Sequence, residues 1–270
     1  MENCNKPRKD LSSMHSTDSE LIIRMADTEA EIMAAQRLRY RVFVEEMGAS
    51  TSQENHADRL ERDAFDDRFK HLLLIDPTIT DPMDRVVGVY RLLDSDTAAA
   101  LGGYYGETEY DLTPIKTSGR KALELGRSCI AQDYRGGSGV HLLWAGLAQY
   151  VLQNGIQVLF GTASFHGRNP ADYAQALSLL HASYLAPPDL RVRTLPDHFV
   201  AMDMIPPDQI DRPLATKQMP SLIKAYLRLG GFVGDGAYVD HTFNTTDVCI
   251  VLDIDRMSEK QRAMYEKAAG

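Results

Sequence analysis

Hydrophobic and polar positions change period several times along the chain, and each change predicts an element. Leu21–Met25 is a short apolar run that reads as a strand. After it, Ile32, Ala35, Leu38, Val42 and Phe43 recur at helical spacing through about Glu46. Asp27 or Thr28 would cap that helix, with Glu31 placed for a capping box from Thr28. The polar stretch 49–62 reads as loop. Apolar runs at 71–76 and 85–94 predict two strands around the turn-rich PTITDPMD. Both faces of the second are largely apolar, which suits a central strand covered on both sides. Further predicted elements are a strand over 121–130, an apolar helix over 140–154 closed by Gly155, and a strand over 158–165. A helix opens at Asn169-Pro170 and runs to about Tyr184.

This alternation is an α/β pattern. From Ala186 the character changes, with Pro187, Pro188, Pro196, Pro206, Pro207 and Pro213 marking an irregular connection. A helix over 221–229 and a strand over 246–254 follow it. Residues 1–20 read as a disordered tail and 255–270 as a charged peripheral helix.

Charge narrows the partners. The 270 residues carry 29 Lys+Arg against 38 Asp+Glu, a formal net charge of −9. Such a surface argues against nucleic acid, whose phosphates need clustered cations. A local basic patch is still open: Lys217, Lys224 and Arg228 are spaced seven and four apart, which would put them on one helical side. Cys4, Cys129 and Cys249 are too scattered for a disulfide framework or a cysteine-rich zinc site, and they suit a reducing compartment. The first twenty residues lack the apolar core of a secretory signal. The apolar stretch 140–160 is interrupted by His141, Gln149, Gln153, Asn154 and Gln157, so it fits a buried helix and strand better than a membrane span. A cytoplasmic protein is expected. No histidine pair has metal-ligand spacing, and no metal is expected.

Three features point to chemistry. Glu124 and Arg127 sit inside the otherwise apolar LELGRSCI, where an unpaired charge would be costly. Residues three apart on a regular strand face opposite sides, so the two share a face only if the strand bulges, and Gly126 is the least strained place for that. They are either a structural ion pair or a site in which Glu124 accepts a proton. Arg91 lies on the buried strand 85–94 and needs a carboxylate; Glu124 and the cluster Asp63-Ala-Phe-Asp66-Asp67 are the candidates. The turn Arg135-Gly136-Gly137-Ser138-Gly139 joins a strand to a helix, either as a tight turn or as a phosphate cradle of backbone N–H groups.

Together these stretches resemble the GNAT acyltransferase superfamily. The resemblance implies a mixed central sheet flanked by helices, with a C-terminal α/β extension. Gly137 and Gly139 match the glycines of its acyl-donor turn, while Tyr134 stands where Gln or Arg is usual. Arg39-x-x-x-Phe43, Asp63-x-x-Asp66, Gly88-x-x-Arg91-Leu-Leu and Glu124-Leu-x-Arg127 are similar to acyl-homoserine lactone synthases, except that Ala49 replaces their tryptophan. From about 21 to 254 the chain resembles the ornithine–acyl-carrier-protein N-acyltransferases more closely. The stretches RLRYRVFVEEMGA, YRGGSGVHLLWAGLAQY, LFGTASFHG, LIKAYLRLGG and VGDGAYVDHTFNTTDVCIVLDI carry that likeness. The implied domain has a core at about 21–185 and an extension at about 186–254.

The resemblance implies transfer of a 3-hydroxyacyl chain from acyl carrier protein to the α-amine of ornithine, giving lyso-ornithine lipid. Glutamine or another acceptor, lactone synthesis from S-adenosylmethionine, and a non-catalytic carrier-binding module are the alternatives. It further implies Glu124, Arg127 and Arg91 as catalytic residues and Arg39, Phe43, Asp63 and Asp66 as substrate-binding. Asp63 and Asp66 would hold an ammonium or orient the arginines. Cys129, Ile130, Arg135, Gly136, Gly137 and Gly139 would meet the carrier's phosphopantetheine. No permanently bound cofactor is implied. An enzyme making an amphiphile would meet the inner face of the cytoplasmic membrane peripherally, if at all.

Overall fold

Val86–Asp94 is buried along all nine of its residues, as its two apolar faces predict. The computed structural model describes residues 21–135 and 138–268, so the expected tail and Gly136 and Gly137 lie outside it. The chain begins with β1 (Ile22–Met25), α1 (Glu29–Arg39), α2 (Gln53–Asp58), β2 (Lys70–Ile75) and β3 (Val86–Asp94). Next come α3 (Ser95–Leu101), β4 (Tyr110–Asp111), α4 (Thr113–Thr117), β5 (Ala122–Ile130), α5 (Ser138–Asn154) and β6 (Val158–His166). The remainder is α6 (Ala174–Tyr184), β7 (Arg193–Thr194), α7 (Arg212–Gln218), α8 (Ser221–Arg228), β8 (Phe232–Val233), β9 (Tyr238–Asp240), β10 (Thr245–Asp253) and α9 (Glu259–Ala268).

Eight strands form one sheet in the order β1-β2-β3-β5-β6-β10-β8, with β9 also on β10. Pairing is antiparallel except between β5 and β6. Side-chain alternation sends Leu123, Leu125, Leu159, Ala163, Val248 and Ile250 to one face, where they pack with α5, α6 and α8. The opposite face carries Ala122, Phe160, Cys249 and Val251 against the segment 98–115 and Leu190 and Val192. α1 covers β2 and β3 through Ala34, Ala35 and Leu38.

β5 and β6 stay together only from Ala122–Val158 to Leu125–Gly161. Beyond that point each keeps its outer neighbour, β3 or β10, and the two part. Both sides of the parting are written in the sequence. At its start a Cβ on Gly161 would collide with the Leu125 carbonyl, so only glycine lets the backbones approach there. On β5 the pairs Arg91–Gly126 and Val89–Cys129 leave Tyr90 facing both Arg127 and Ser128, a two-against-one bulge. The sequence points to Gly126 as the residue that absorbs the bulge, but the left-handed backbone falls on Arg127 (φ 49°). Gly161→Val is expected to destabilise the protein by about 1–3 kcal/mol through overpacking, measurable as a lower denaturant midpoint.

Other expectations are corrected in detail. Thr28 is the cap of α1, and the Glu31 carboxylate accepts from the Asp27 amide. The helix does run to Glu46, but its last part, Tyr40–Glu46, is a wider π-helical turn. The expected loop 49–62 contains α2, capped by Ser52. Lys217 belongs to α7 while Lys224 and Arg228 belong to α8, so they do not share one helix. Pro220 at the start of α8 explains the break. α5 closes as expected: Gly155 is left-handed (φ 60°) and the Ile156 amide reaches back to the Val151 carbonyl at 3.0 Å.

Candidate active site

The parted strands open a cleft of ≈1120 Å³ that passes from one face of the sheet to the other. On one face it is lined by Leu142, Leu143 and Ala148 of α5 and by Leu222 and Ala225 of α8. On the other it is lined by Glu124, Arg91, Thr162, Ser164 and Asp247. Gly126–Ile130 forms the wall between. A molecule entering from the helical face therefore meets one entering from the opposite face inside the sheet.

Glu124 lines the cleft two residues before that wall and is 3% exposed. Its carboxylate accepts from the Tyr105 amide at 2.9 Å and the Gly106 amide at 2.6 Å. Burial pushes it up to about 7, against the pull of those two amides and of Arg91. The ion pair with Arg127 and the pairing with Arg91 that the sequence left open are not made. A carboxyl held near neutrality in a cleft is suited to take a proton at physiological pH.

Both arginines turn instead to the acidic segment after α2. Arg91 Nη1 donates to Asp63 Oδ1 at 2.7 Å and to Asp66 Oδ1 at 2.9 Å. Arg127 donates through Nε to Glu61 Oε1 at 3.2 Å and through Nη2 to Asp63 Oδ2 at 3.0 Å. Arg39, fully buried, donates to Glu61 and, through Nη1, to Asp66 Oδ1 at 2.6 Å. Three guanidinium groups thus meet three carboxylates with no charge left over. Burial alone would raise Asp66, but Arg39 and Arg91 outweigh it and hold the carboxyl far below the usual range. Glu61 and Asp63 are lowered in the same way. These contacts also fix the left-handed backbone at Arg127, a conformation that costs about 1–2 kcal/mol for a residue with a Cβ.

Arg39, Asp63 and Asp66 do not line the cleft, whereas Arg91 and Arg127 do. Arg91 Nε is buried with no partner among the described residues. Phe43, carried inward by the π-helical turn, lines the cleft and packs edge-on against Phe243 at 5.7 Å. Cys129 and Ile130 line it too, as do Arg135 and, at the start of α5, Ser138. Arg135 pairs with Glu46 and donates to the Ile130 carbonyl at 2.8 Å. Gly139 lies where a Cβ would come within 2.9 Å of the Tyr134 carbonyl, and the Tyr134 hydroxyl donates to Asp76 at 2.6 Å. Burial pushes the Cys129 thiol up to about 12, so it holds almost no thiolate at neutral pH.

Sequence reasoning missed Glu61, Glu109, Asp240 and Asp247. Asp247 had the same signal as Glu124, a lone carboxylate inside an apolar strand. Glu61 lay in a stretch read as solvated loop, and Glu109 and Asp240 carry no local pattern.

Residues 38–145 match the acetyltransferase (GNAT) domain family. The L-ornithine N(alpha)-acyltransferase of Rhodobacter capsulatus is 52% identical over 246 residues, covering 91% of this chain and 94% of its own. A protein of the same name from Brucella abortus is 43% identical over 248 residues, covering 91% and 88%. Among solved structures, a CoA-dependent acyl-homoserine lactone synthase with MTA aligns at a TM-score of 0.48 and 16% identity, covering 90% of this chain and 83% of that one. The chain is a GNAT-fold acyltransferase and belongs to the L-ornithine N(alpha)-acyltransferase family.

Proposed function

We propose that this protein moves a 3-hydroxyacyl chain from acyl carrier protein to the α-amine of ornithine, giving lyso-ornithine lipid. The observation that carries the reading is the through-sheet cleft with Glu124 in its wall. The names of the relatives supply the acceptor. A thioester entering beside α5 reaches the gap with its acyl chain against Leu142, Trp144, Leu222 and Leu229, and the acceptor approaches from the Glu124 face.

In the step, the neutral amine attacks the thioester carbon and the N–C bond forms. Glu124 takes a proton from the amine nitrogen as the C–S bond breaks, and that proton then passes to the departing thiolate. Backbone N–H groups between Gly126 and Ile130 that face the gap would stabilise the oxyanion, with Arg91 and Arg127 beside them. Arg91, whose Nε is unpartnered among the described residues, would hold the acceptor carboxylate. The raised Cys129 thiol supports direct attack over an acyl-cysteine. Arg135, Gly136, Gly137 and Gly139 would meet the phosphate end of the phosphopantetheine. No described helix is long and apolar enough to cross a membrane. We place the protein in the cytoplasm, meeting the inner face of the membrane peripherally.

Incubation with 3-hydroxyacyl carrier protein or 3-hydroxyacyl-CoA and single amino acids, read by mass spectrometry, tests this. N-acylornithine from the carrier-bound donor is the expected product. N-acylglutamine without N-acylornithine would overturn the acceptor, and equal turnover with the CoA thioester would overturn the donor.

A further inference from the structure

We propose that Glu109, Asp240 and Asp247 form the recognition site for a cationic side chain on the acceptor, an ammonium such as that of a diamino acid. This assignment rests on the amino-acid acceptor reading above and adds where the second amine goes.

The three carboxylates come from separate parts of the chain and converge on the β6–β10 side of the gap, across from Glu124 on β5. Glu109, just before β4, accepts from the Thr162 hydroxyl at 3.2 Å. Asp240, at the end of β9, accepts from the Thr242 and Phe243 amides at 2.7 and 2.8 Å. Asp247 is on β10 opposite Ser164, and Thr245, two residues away on the same face, stands opposite Asp240. All three carboxylates line the cleft, yet they are only 5%, 8% and 3% exposed.

Among the described residues none of them has a salt-bridge partner, in contrast to Glu61, Asp63 and Asp66. Arg127 is the nearby cation, and Glu61 and Asp63 already engage it. Two further atoms point to a missing partner. Asp247 Oδ1 and Thr245 Oγ1 are buried with no hydrogen-bond partner among the described residues, although both side chains line the cleft. The Ser164 and Thr245 hydroxyls both lie beside the Asp247 carboxylate, and neither meets Oδ1 in hydrogen-bonding geometry.

Buried carboxylates left unpaired are costly, and a charged donor entering among them removes that cost. Burial, with Asp247 and Asp240 nearby, pushes Glu109 up to about 8, and burial pushes Asp247 up to about 7. The free site thus holds protons that an ammonium would displace. A side chain without a cation would leave the carboxylates unsatisfied, which is how a polar pocket rejects an isostere lacking the matching group. Two acidic groups across one gap also suit a molecule with two amines, one neutralised for attack and one kept charged.

The test uses L-ornithine and L-norvaline, which lacks the side-chain ammonium, with the full-length protein and its Asp247→Asn and Glu109→Gln variants. Thermal unfolding reads binding without turnover. Ornithine should raise the Tm of the wild type well above the shift given by norvaline, and the difference should shrink in both variants. With 3-hydroxyacyl carrier protein, the wild-type preference in kcat/KM for ornithine over norvaline should fall about 10- to 100-fold in each variant, the range of a lost charged hydrogen bond. Equal Tm shifts from the two amino acids, or an ornithine preference unchanged in folded variants, overturns the site. An ornithine-specific Tm shift that shrinks in both variants, without acylation of either amino acid, overturns the proposed reaction and leaves the cation site standing.

Discussion

Replacing Glu124 with glutamine is expected to lower kcat about 100- to 10,000-fold, the usual contribution of a positioned general base. The substituted side chain keeps an acceptor oxygen for only one of the Tyr105 and Gly106 amides, so turnover is to be read per folded enzyme, with a thermal melt of the variant alongside it. The wild-type profile carries the second half of the prediction. With Glu124 raised to about 7, the base is protonated below that pH and free above it. With ornithine saturating, so that its ammonium already occupies Glu109 and Asp247, the kcat of the wild type should therefore rise with pH through about 7, and the residual kcat of the variant should lack that limb. Unchanged turnover, or the same limb in the variant, would remove Glu124 from the chemistry.

Asp66→Asn should be the most destabilising single change in the site. Asp66 accepts from Arg39, Arg91 and Gln36, and Arg39, fully buried and away from the cleft, has no water to take its place. Breaking a buried ionic set by removing one partner costs about 3–5 kcal/mol. For a chain of this size that is a fall in Tm on the order of 10 °C. Stability should also depend on pH in two directions. Asp66, Asp63 and Glu61 are lowered on folding, so their stabilisation is present above the ordinary carboxylate range and lost as pH falls through it. Glu124, Asp247 and Glu109 are raised, so the folded state binds more protons than the unfolded and stability declines as pH climbs from about 4.5 toward about 7–8. The free protein should be most stable in mildly acidic buffer, below the pH that favours turnover. In Asp66→Asn the loss below about pH 4 should be smaller than in the wild type. A Tm within about 2 °C of the wild type for this variant would show that the ionic set is not needed for the fold.

The strands and long helices were legible because their periods are set by burial. β3 and β10 are buried on both faces, as are the first halves of β5 and β6, and they read as apolar runs, while α5 ends where Gly155 must be left-handed. The bulge was legible from two charges inside an apolar strand, although its left-handed residue was placed one position early. The partners of those charges were not legible. Glu124 could be matched to Arg127 by proximity along the chain, but Glu61 and Asp63 reach Arg127 from more than sixty positions away. The short helices α2, α3 and α7 lack an extended apolar stripe and hang on single caps, Ser52, Asp94 and Asp211. The three-carboxylate cluster escaped because two of its members gain meaning only when β9 and β10 lie beside β6.

Where β5 and β6 separate, each acquires a free backbone edge in the interior of the molecule. An edge strand is ordinarily a hazard, since any extended chain can pair along it and begin aggregation. Here β3 and β10 guard the outer sides, and the edges are reached only through the cleft, past α5 on one face and past Tyr105, held to Glu124, on the other. A foreign strand would have to thread the cleft to lie along these edges. The protein can keep unpaired donors and acceptors at its centre, ready for a slender partner, without offering them to its neighbours.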